Sequence, residues 1–585
     1  MVETHSLEDW ETLPAERKLA VGVGTGQIVV IGDGTLPPED PPEDRVIRTG
    51  FLRALILGRV KGHTPHEKGV RVQGAYLRGD GPAGASGLDL EGCDLPDDLL
   101  LAYCRIPDHL LLRSASLRNL YLNASHLGAG LDADRLRATG GVFLRGEGKT
   151  GSPEHRPFVA MGEVRLVGAK LDGDLNCNGA RLTAGKTGDA LVADRLDATG
   201  SVFLRGLEAE GDVRLLGATL GGNLSCTGAR LTAGETGMAL NADGLEATGT
   251  VFLSGLEATG EVRLPGAKLG GDLDCNGARL TAAKSPQTGE RGKALNLQGA
   301  RVTGVLFLRD GATVSGVLVL TEADIGTIVD DPGCWPKAGD LVVDGCRYGA
   351  FVGGSPVDAR RRIDWLLLQP KSHLDSDFRP QPWEECARVL RAMGHEADAR
   401  AVLIEKEKRQ RKARRDRLRR EHLYEDAAWF SFWDALMGIT TRYGRQPLLA
   451  FAWLAGLILL GLGVFEGARN AEALKPNDSI ALRSAEWVDC VPGAERYSGE
   501  GSQLACFLEQ PEGRGYPAFN PLVYSADALL PIFDLGMQEY WVADENTGFG
   551  QGARVYLWVH VTLGWALSLL AVAGFSGLIR TDNTT

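Results

Sequence analysis

The sequence predicts a mainly β chain: a parallel β-solenoid of short rungs, followed by a helical neck and two transmembrane helices. Three observations carry that expectation. Between Gly162 and Val314 the chain says nearly the same thing three times, as GEVRLVGAKLDGDLNCNGARLTAGKTG, GDVRLLGATLGGNLSCTGARLTAGETG and GEVRLPGAKLGGDLDCNGARLTAAKSP. Cys177, Cys226 and Cys275 stand 49 residues apart, and Arg165, Arg214 and Arg263 keep the same register. Within each unit apolar and polar residues alternate with the period of a strand. Towards the C-terminus two stretches lack Asp, Glu, Lys and Arg over a length that crosses a lipid hydrocarbon layer.

The rungs are triplets such as Val213, Arg214 and Leu215, or Leu224, Ser225 and Cys226, separated by small glycine turns. Steps of 11 residues lead from Leu253 to Leu264 to Cys275. Two steps make a coil of roughly 22 residues, so each repeat holds two coils, one with a longer turn, stacked ~4.8 Å apart. The predicted solenoid covers residues 68–355, with less regular alternation at 69–79 and 112–128. An open solenoid end exposes unpaired backbone groups. Residues 1–67 are therefore expected to hold a cap, helical at 48–58, and residues 358–368, with Ile363, Trp365, Leu366 and Leu367, to cover the other end.

Asn178 to Leu182 and Gly217 to Leu220 place a small residue two positions before a leucine. In this pattern the chain resembles the pentapeptide-repeat and bactofilin-like right-handed β-solenoids, over roughly residues 68–350. The resemblance implies a right-handed parallel β-solenoid serving as scaffold, mimic or binding module, and implies no particular chemistry.

Composition narrows the function classes. A net charge of −13 speaks against general nucleic-acid affinity. Eight of the ten cysteines precede residue 400 without CxxC spacing, which suits free thiols in a reducing compartment, whereas Cys490 and Cys506 are candidates for a disulfide in an oxidising exterior. The start, Met1 to Leu13, has neither the basic head nor the apolar core of a secretory signal. Repeat cysteines two coils apart lie roughly 9–10 Å from each other, too far for a disulfide or a shared zinc ion, and read as buried core residues. GGDLD at 270–274 becomes GGNLS in the preceding repeat, so turn residues are expected there rather than calcium ligands. Gly22, Gly24 and Gly26 lack the dinucleotide-loop spacing, and His63 with His66 lacks a carboxylate companion. No enzymatic activity, metal or cofactor is expected.

On the solenoid surface, Arg165, Arg214 and Arg263 form one candidate ladder for an anionic ligand, and Arg181, Arg230 and Arg279 a second. Glu163, Asp212 and Glu261 precede the first set by two residues, on the same strand face, and are expected to neutralise it. Phe203, Phe252 and Phe307 should project outward, either as a binding stripe or packed under the long turns.

Residues 356–445 form the neck. Cys386, Val389 and Leu390, then Ala399, Val402 and Leu403, give two helical patterns broken at Gly394, as in a helical hairpin. Ten of the fifteen residues from Lys406 to Arg420 are Lys or Arg. Arg411, Lys412, Arg414, Arg415, Arg419 and Arg420 are read as facing anionic lipid, because an apolar segment follows closely. Trp429, Phe430, Phe432, Trp433, Leu436, Met437 and Ile439 give an aromatic face suited to a helix lying in the membrane interface.

The predicted spans are 446–465 and 555–579, joined by an extracytoplasmic loop over 466–554 and followed by a cytoplasmic tail, 580–585. The basic neck puts the solenoid and both termini in the cytoplasm of an inner (plasma) membrane protein. Asn520 and Pro521 open a short apolar helix in the loop, either re-entrant or interfacial. The layout resembles two-helix pore-loop channels, though their TVGYG filter is absent. That resemblance implies a candidate carboxylate ring at Asp534 in an oligomer. His560, in the second span, is either a proton-linked site or a headgroup contact. Gly564, Ser568, Gly574 and Gly577 offer small surfaces for close helix packing, consistent with a homo-oligomer. The expected function is non-catalytic: a solenoid that binds or senses a partner or ligand, coupled to the membrane part, or alternatively an oligomeric ion channel gated by the solenoid.

Overall fold

The computed structural model describes residues 6–8, 10–80, 87–148, 154–283, 292–440, 442, 446, 448–491, 493–494, 497 and 502–575. It divides into two compact units, Met1–Arg409 and Gln410–Thr585, and the helix Glu396–Arg420 runs across the division.

In the first unit, four short strands make a coil, for example Asp212–Arg214, Thr219–Leu220, Leu224–Ser225 and Arg230–Thr232. Every coil stacks in parallel on the next, giving a β-solenoid of about 11 turns. The register follows the repeat: Arg214 lies beside Asn241, and Asn241 beside Arg263, so long and short coils alternate within each 49-residue unit. Inward positions close a continuous hydrocarbon core. Cys177, Cys226 and Cys275 sit in it, wholly buried, with Leu204 and Leu253 on the coils between them. Burial pushes the Cys177 and Cys226 thiols up to about 12.

The aspartates of the GGDLD-type turns have a structural task. Asp174 and Asp272 each accept a hydrogen bond from a backbone N–H of the next coil, Ser201 and Val305, and Asn223 does the same for Thr250. An amide oxygen accepts that bond as well as a carboxylate does, which explains why the sister repeat tolerates Asn.

Both ends are closed, by more chain than expected. At the front, helices Pro14–Val23 and Thr49–Ile56 pack on the core. Parallel pairing already begins with Val29 beside Val72 and Val46 beside Tyr76, so the stacking starts before residue 68. The loop Pro37 to Glu43, rich in Pro and acidic residues, hides that alternation in the sequence. At the back, Ala359–Leu366 is joined by Gln381–Ala392, which satisfies the last strand with side chains. Glu385 accepts from Tyr348 N, Arg388 donates to Tyr348 O, and Gln381 bonds Gly345 N and Cys346 O. An open sheet edge is thereby covered without another strand. Gly394, at φ +89°, makes the turn into Glu396–Arg420, as the break in the hairpin pattern predicts.

The second unit contains two helices long and apolar enough to cross a membrane, Leu448–Asn470 and Gly548–Phe575. Both differ from the charge-free windows 446–465 and 555–579. The first continues past Glu466 because Arg469 pairs with it one turn on, and the second starts before Arg554, which pairs with Glu545 at 3.3 Å. Gly577 and the tail 580–585 lie outside the described residues. Leu474–Pro476 and Trp541–Ala543 form a two-stranded antiparallel ribbon, and Cys490 and Cys506 form a disulfide.

Candidate functional site

Two arrangements carry polar chemistry: the outer ladders of the solenoid, and a buried cluster between the long helices of the second unit.

On the solenoid, each predicted arginine stands where expected and is engaged by carboxylates. Arg181, Glu208, Arg230, Glu257 and Arg279 follow one another on successive coils and are bridged in turn, with contacts of 2.7–3.4 Å. Arg165 pairs with Glu163 and Asp134, both at 2.9 Å. For the other two, the partner differs from the expected one. Arg214 pairs with Asp194 at 2.5 Å and Asp189 at 3.6 Å, and Arg263 with Asp243. Those hydrogen bonds raise both guanidinium groups above their ordinary value. Asp212 instead accepts from Gly234 N and Thr236 Oγ1, and Glu261 from Asn296. In these two repeats the acid two residues back on the same strand bonds groups on the following coil, while the acid on the preceding coil meets the guanidinium. The sequence contains the signal, since Ala-Asp recurs at Ala133–Asp134, Ala193–Asp194 and Ala242–Asp243.

In the second unit the helix Pro521–Leu529 is capped by Asn520, whose Oδ1 accepts from Leu522 N and Val523 N. It runs between the two long helices. Tyr524 meets the Phe465 ring near its start, and Leu529 packs with Leu454 and Leu567 at its end. Phe465 and Leu454 are eleven residues apart on one helix, a descent of about 16 Å. The chain then turns and returns to the ribbon at Trp541–Ala543. The segment is therefore inserted between the long helices rather than laid across their ends.

Glycines make the insertion possible. A Cβ at Gly461 would lie 2.2 Å from Ser525 Oγ, and one at Gly564 would lie 1.9 Å from Leu529 O. Ser525 Oγ donates to Ile458 O at 3.0 Å. His560 Nε2 lies 3.1 Å from Ser525 O and 3.2 Å from its Oγ, and Nδ1 lies 3.1 Å from Tyr556 Oη. With only 1% of its surface exposed, His560 is held inside the helix cluster and does not reach out to headgroups. Donation from Nε2 to Ser525 O leaves Nδ1 to accept from Tyr556, so a neutral imidazole satisfies every partner. Asp527, also buried, holds the return turn by accepting from Leu535 N and Gln538 N at 2.6 and 2.9 Å. Ser525 and Gly461 escape sequence reasoning because their roles depend on contacts between helices, whereas Asp527 and Tyr556 meet partners within 11 residues that come together only once the return turn and the helix have formed.

Asp534 is exposed at this turn, beside exposed Ile532, Phe533 and Leu535, and accepts locally from Gly536 N. An apolar cavity of about 730 Å³ lies beneath the turn, between Phe451 and Ala455 on one helix and Ser568 and Val572 on the other.

Of the six basic residues expected to face lipid, two turn inward. Arg415 and Arg411 pair with the buried Asp434 of the helix Tyr424–Thr440, Arg411 at 3.6 Å. An acidic residue on the facing helix redirects them, a contact that a single-helix reading does not include. Lys412, Arg414, Arg419 and Arg420 remain exposed, with Arg414 over the Phe430 ring. Trp429, Phe432 and Ile439 are exposed as well, which keeps an aromatic face on the outside of this helix.

Comparison with family models, with curated proteins and with solved structures finds no match for the chain. The pentapeptide-repeat and bactofilin-like resemblance thus rests on the repeat pattern, and the parallel solenoid on its own strand pairing.

Proposed function

We propose that this chain is a non-catalytic, membrane-anchored binding protein. The solenoid offers its outer faces to a partner in the cytoplasm, and the second unit holds it at an inner membrane with both termini on the same side. The observation that carries this reading is the outward apolar surface of both long helices, where Leu459, Leu460, Trp558 and Leu569 are all more than half exposed. Side chains of that kind gain little from water and match a lipid surface. The exposed basic residues of Glu396–Arg420 suit the anionic leaflet that the positive-inside rule assigns to them. Alkaline washing of membranes carrying the full chain tests the reading: retention in the bilayer is expected, and release into the supernatant overturns it.

A second reading, an oligomeric ion channel controlled by the solenoid, is favoured by one observation, the insertion of Pro521–Leu529 and its return turn between the long helices. In a ring of copies the exposed Asp534 carboxylates would face a common axis, where they would attract cations. Cation flux into liposomes holding the purified protein is expected, and Asp534→Ala should reduce it. A protein that is monomeric and non-conducting in the bilayer leaves the anchored binding protein alone.

A further inference from the structure

The short helix Pro521–Leu529 separates the two long helices only as far as Leu529, which packs with Leu454 and Leu567. Beyond that point the chain turns back, and the cavity of about 730 Å³ lies between the long helices with Leu530 to Phe533 as its roof. Among the described lining residues only Ser568 is polar and none is charged. Leu454 and Ala571 are buried at its floor, whereas Phe451, Phe533 and Val572 are more than half exposed at its rim. The cavity is therefore a slot open to the side, walled by two helices and a turn. A neighbouring contact marks its depth. Trp453 Nε1 donates to Ile439 O at 3.1 Å, which ties the end of Tyr424–Thr440 to the same stretch of Leu448–Asn470. A helix with the exposed aromatic face of Tyr424–Thr440 lies at the headgroups. From Phe451 to Ile458 the wall climbs seven residues, about 10 Å, so the slot starts near headgroup level and runs through most of the ~15 Å of one leaflet.

We propose that this slot is a lipid site, holding one acyl chain of a phospholipid from the cytoplasmic leaflet while the headgroup stays outside, beside the interfacial helix. The assignment rests on the membrane-anchored reading, which puts the neck and this end of the long helices on the cytoplasmic side. Something has to fill the slot, because packed proteins leave few voids larger than a water molecule. Water is a poor occupant, since an apolar cavity offers it no hydrogen-bond partners and stays dry. A charged or strongly polar ligand is equally unsuited to walls without a charged group. The hydrocarbon chain of a lipid matches the lining, enters from the open side, and needs no polar contact inside. Phospholipids of that leaflet present such chains at the rim, with their headgroups already at the level of Ile439 and Trp453. The slot differs from the general lipid-facing surface in touching a chain from three sides, two helices and the roof, so it gains more dispersion contacts than a single helix face provides. Small side chains create the room: Ala455 is exposed into the slot, facing Ser568 and Ala571 on the other helix.

The test is photolabelling of the full chain in phosphatidylcholine vesicles doped with a phosphatidylcholine that carries a diazirine in one acyl chain, with adducts located by mass spectrometry. Adducts are expected to concentrate at Ala455, Ile458 and Ser568, at least tenfold above the outward-facing Leu459, Leu460 and Leu569. Ala455→Trp fills the slot from its open side and should cut that labelling tenfold, as should Ser568→Leu from the opposite wall. Ala452→Trp, on the same helix but outside the slot, should keep it within about twofold. Overturning results are adducts spread evenly over the slot and the outward faces, labelling unchanged in a filled variant whose melting is intact, or a diazirine fatty acid that labels the slot in preference to the phospholipid. Efficient oxidative dimerisation of Ala455→Cys would overturn it as well, by giving the slot to a second copy. Failure of the labelling on a chain that stays in alkaline-washed membranes sinks this assignment alone and leaves the membrane-anchored reading in place.

Discussion

Replacing Arg362 by methionine removes half of an ion pair that lies inside the C-terminal end of the solenoid. The Arg362 side chain is 0% exposed and Asp330 2%. Two guanidinium nitrogens donate to the two carboxylate oxygens at 2.8 and 2.9 Å, Nε donates to Pro356 O at 2.7 Å, and the Phe351 ring centre lies 3.5 Å from the guanidinium carbon. Trp335 Nε1 also donates to Asp330, at 2.7 Å. Without Arg362 the carboxylate keeps the indole but loses its countercharge, and an uncompensated buried charge costs about 3–5 kcal/mol. Because each coil touches only its neighbours, that cost falls on the last coils rather than on the whole array. Hydrogen exchange should therefore quicken by roughly 10²–10⁴-fold in peptides covering 324–330 and 347–351, while peptides around 170–214 stay protected. Adding Asp330→Leu removes the stranded charge and should recover most of the loss. The reasoning fails if Arg362→Met leaves those peptides as protected as before, if protection is lost evenly along the solenoid, or if the double variant is as damaged as the two single changes added together.

Gly564→Ala should displace Pro521–Leu529, since its methyl group would meet Leu529 O; a loss of about 1–3 kcal/mol is expected in detergent melting, and an unchanged melt would contradict the packing. The denatured chain should take eight maleimide-polymer adducts before reduction and ten after, because only Cys490 and Cys506 are bonded; ten before reduction would remove the disulfide. Opening that 16-residue separation should destabilise the second unit by about 3 kcal/mol, read from melting with and without reductant. The Cys177 and Cys226 thiols titrate at about 12 when folded against 9.0 as the ordinary value, so the folded state holds their protons more tightly. The stability linked to them is fully present below pH 9 and is lost as pH rises from there towards 12. Native alkylation of these thiols should accordingly stay slow at pH 8, and rapid labelling would place them outside the core.

The solenoid was legible because its information is local and repeated. Cys177 and Arg165 recur at a fixed interval, an inward residue is inward in every copy, and the two-residue strand period decides which. The helix break at Gly394 and the cap at Asn520 were legible for the same reason, since each depends on residues within one turn. What failed to show was pairing between coils and between helices. Glu163, Asp212 and Glu261 stand equally well placed in sequence, yet only Glu163 meets its arginine, because Asp212 is taken by Gly234 and Thr236 and Glu261 by Asn296 on the following coil. Arg411 and Arg415 look like the rest of a basic run until Asp434 is brought against them.

The amino-acid sequence alone determined the coil length, the inward set, the two apolar helices and the turn chemistry, all consequences of period and of backbone preference. Only the tertiary structure decided that His560 is buried against Ser525 and Tyr556, that Asp527 holds the return turn, and that a short capped helix enters between two long ones. The His560–Ser525 contact joins side chains 35 residues apart, and the entry of the short helix depends on bare glycine surfaces at Gly461 and Gly564. A one-dimensional period carries no record of which surfaces will touch.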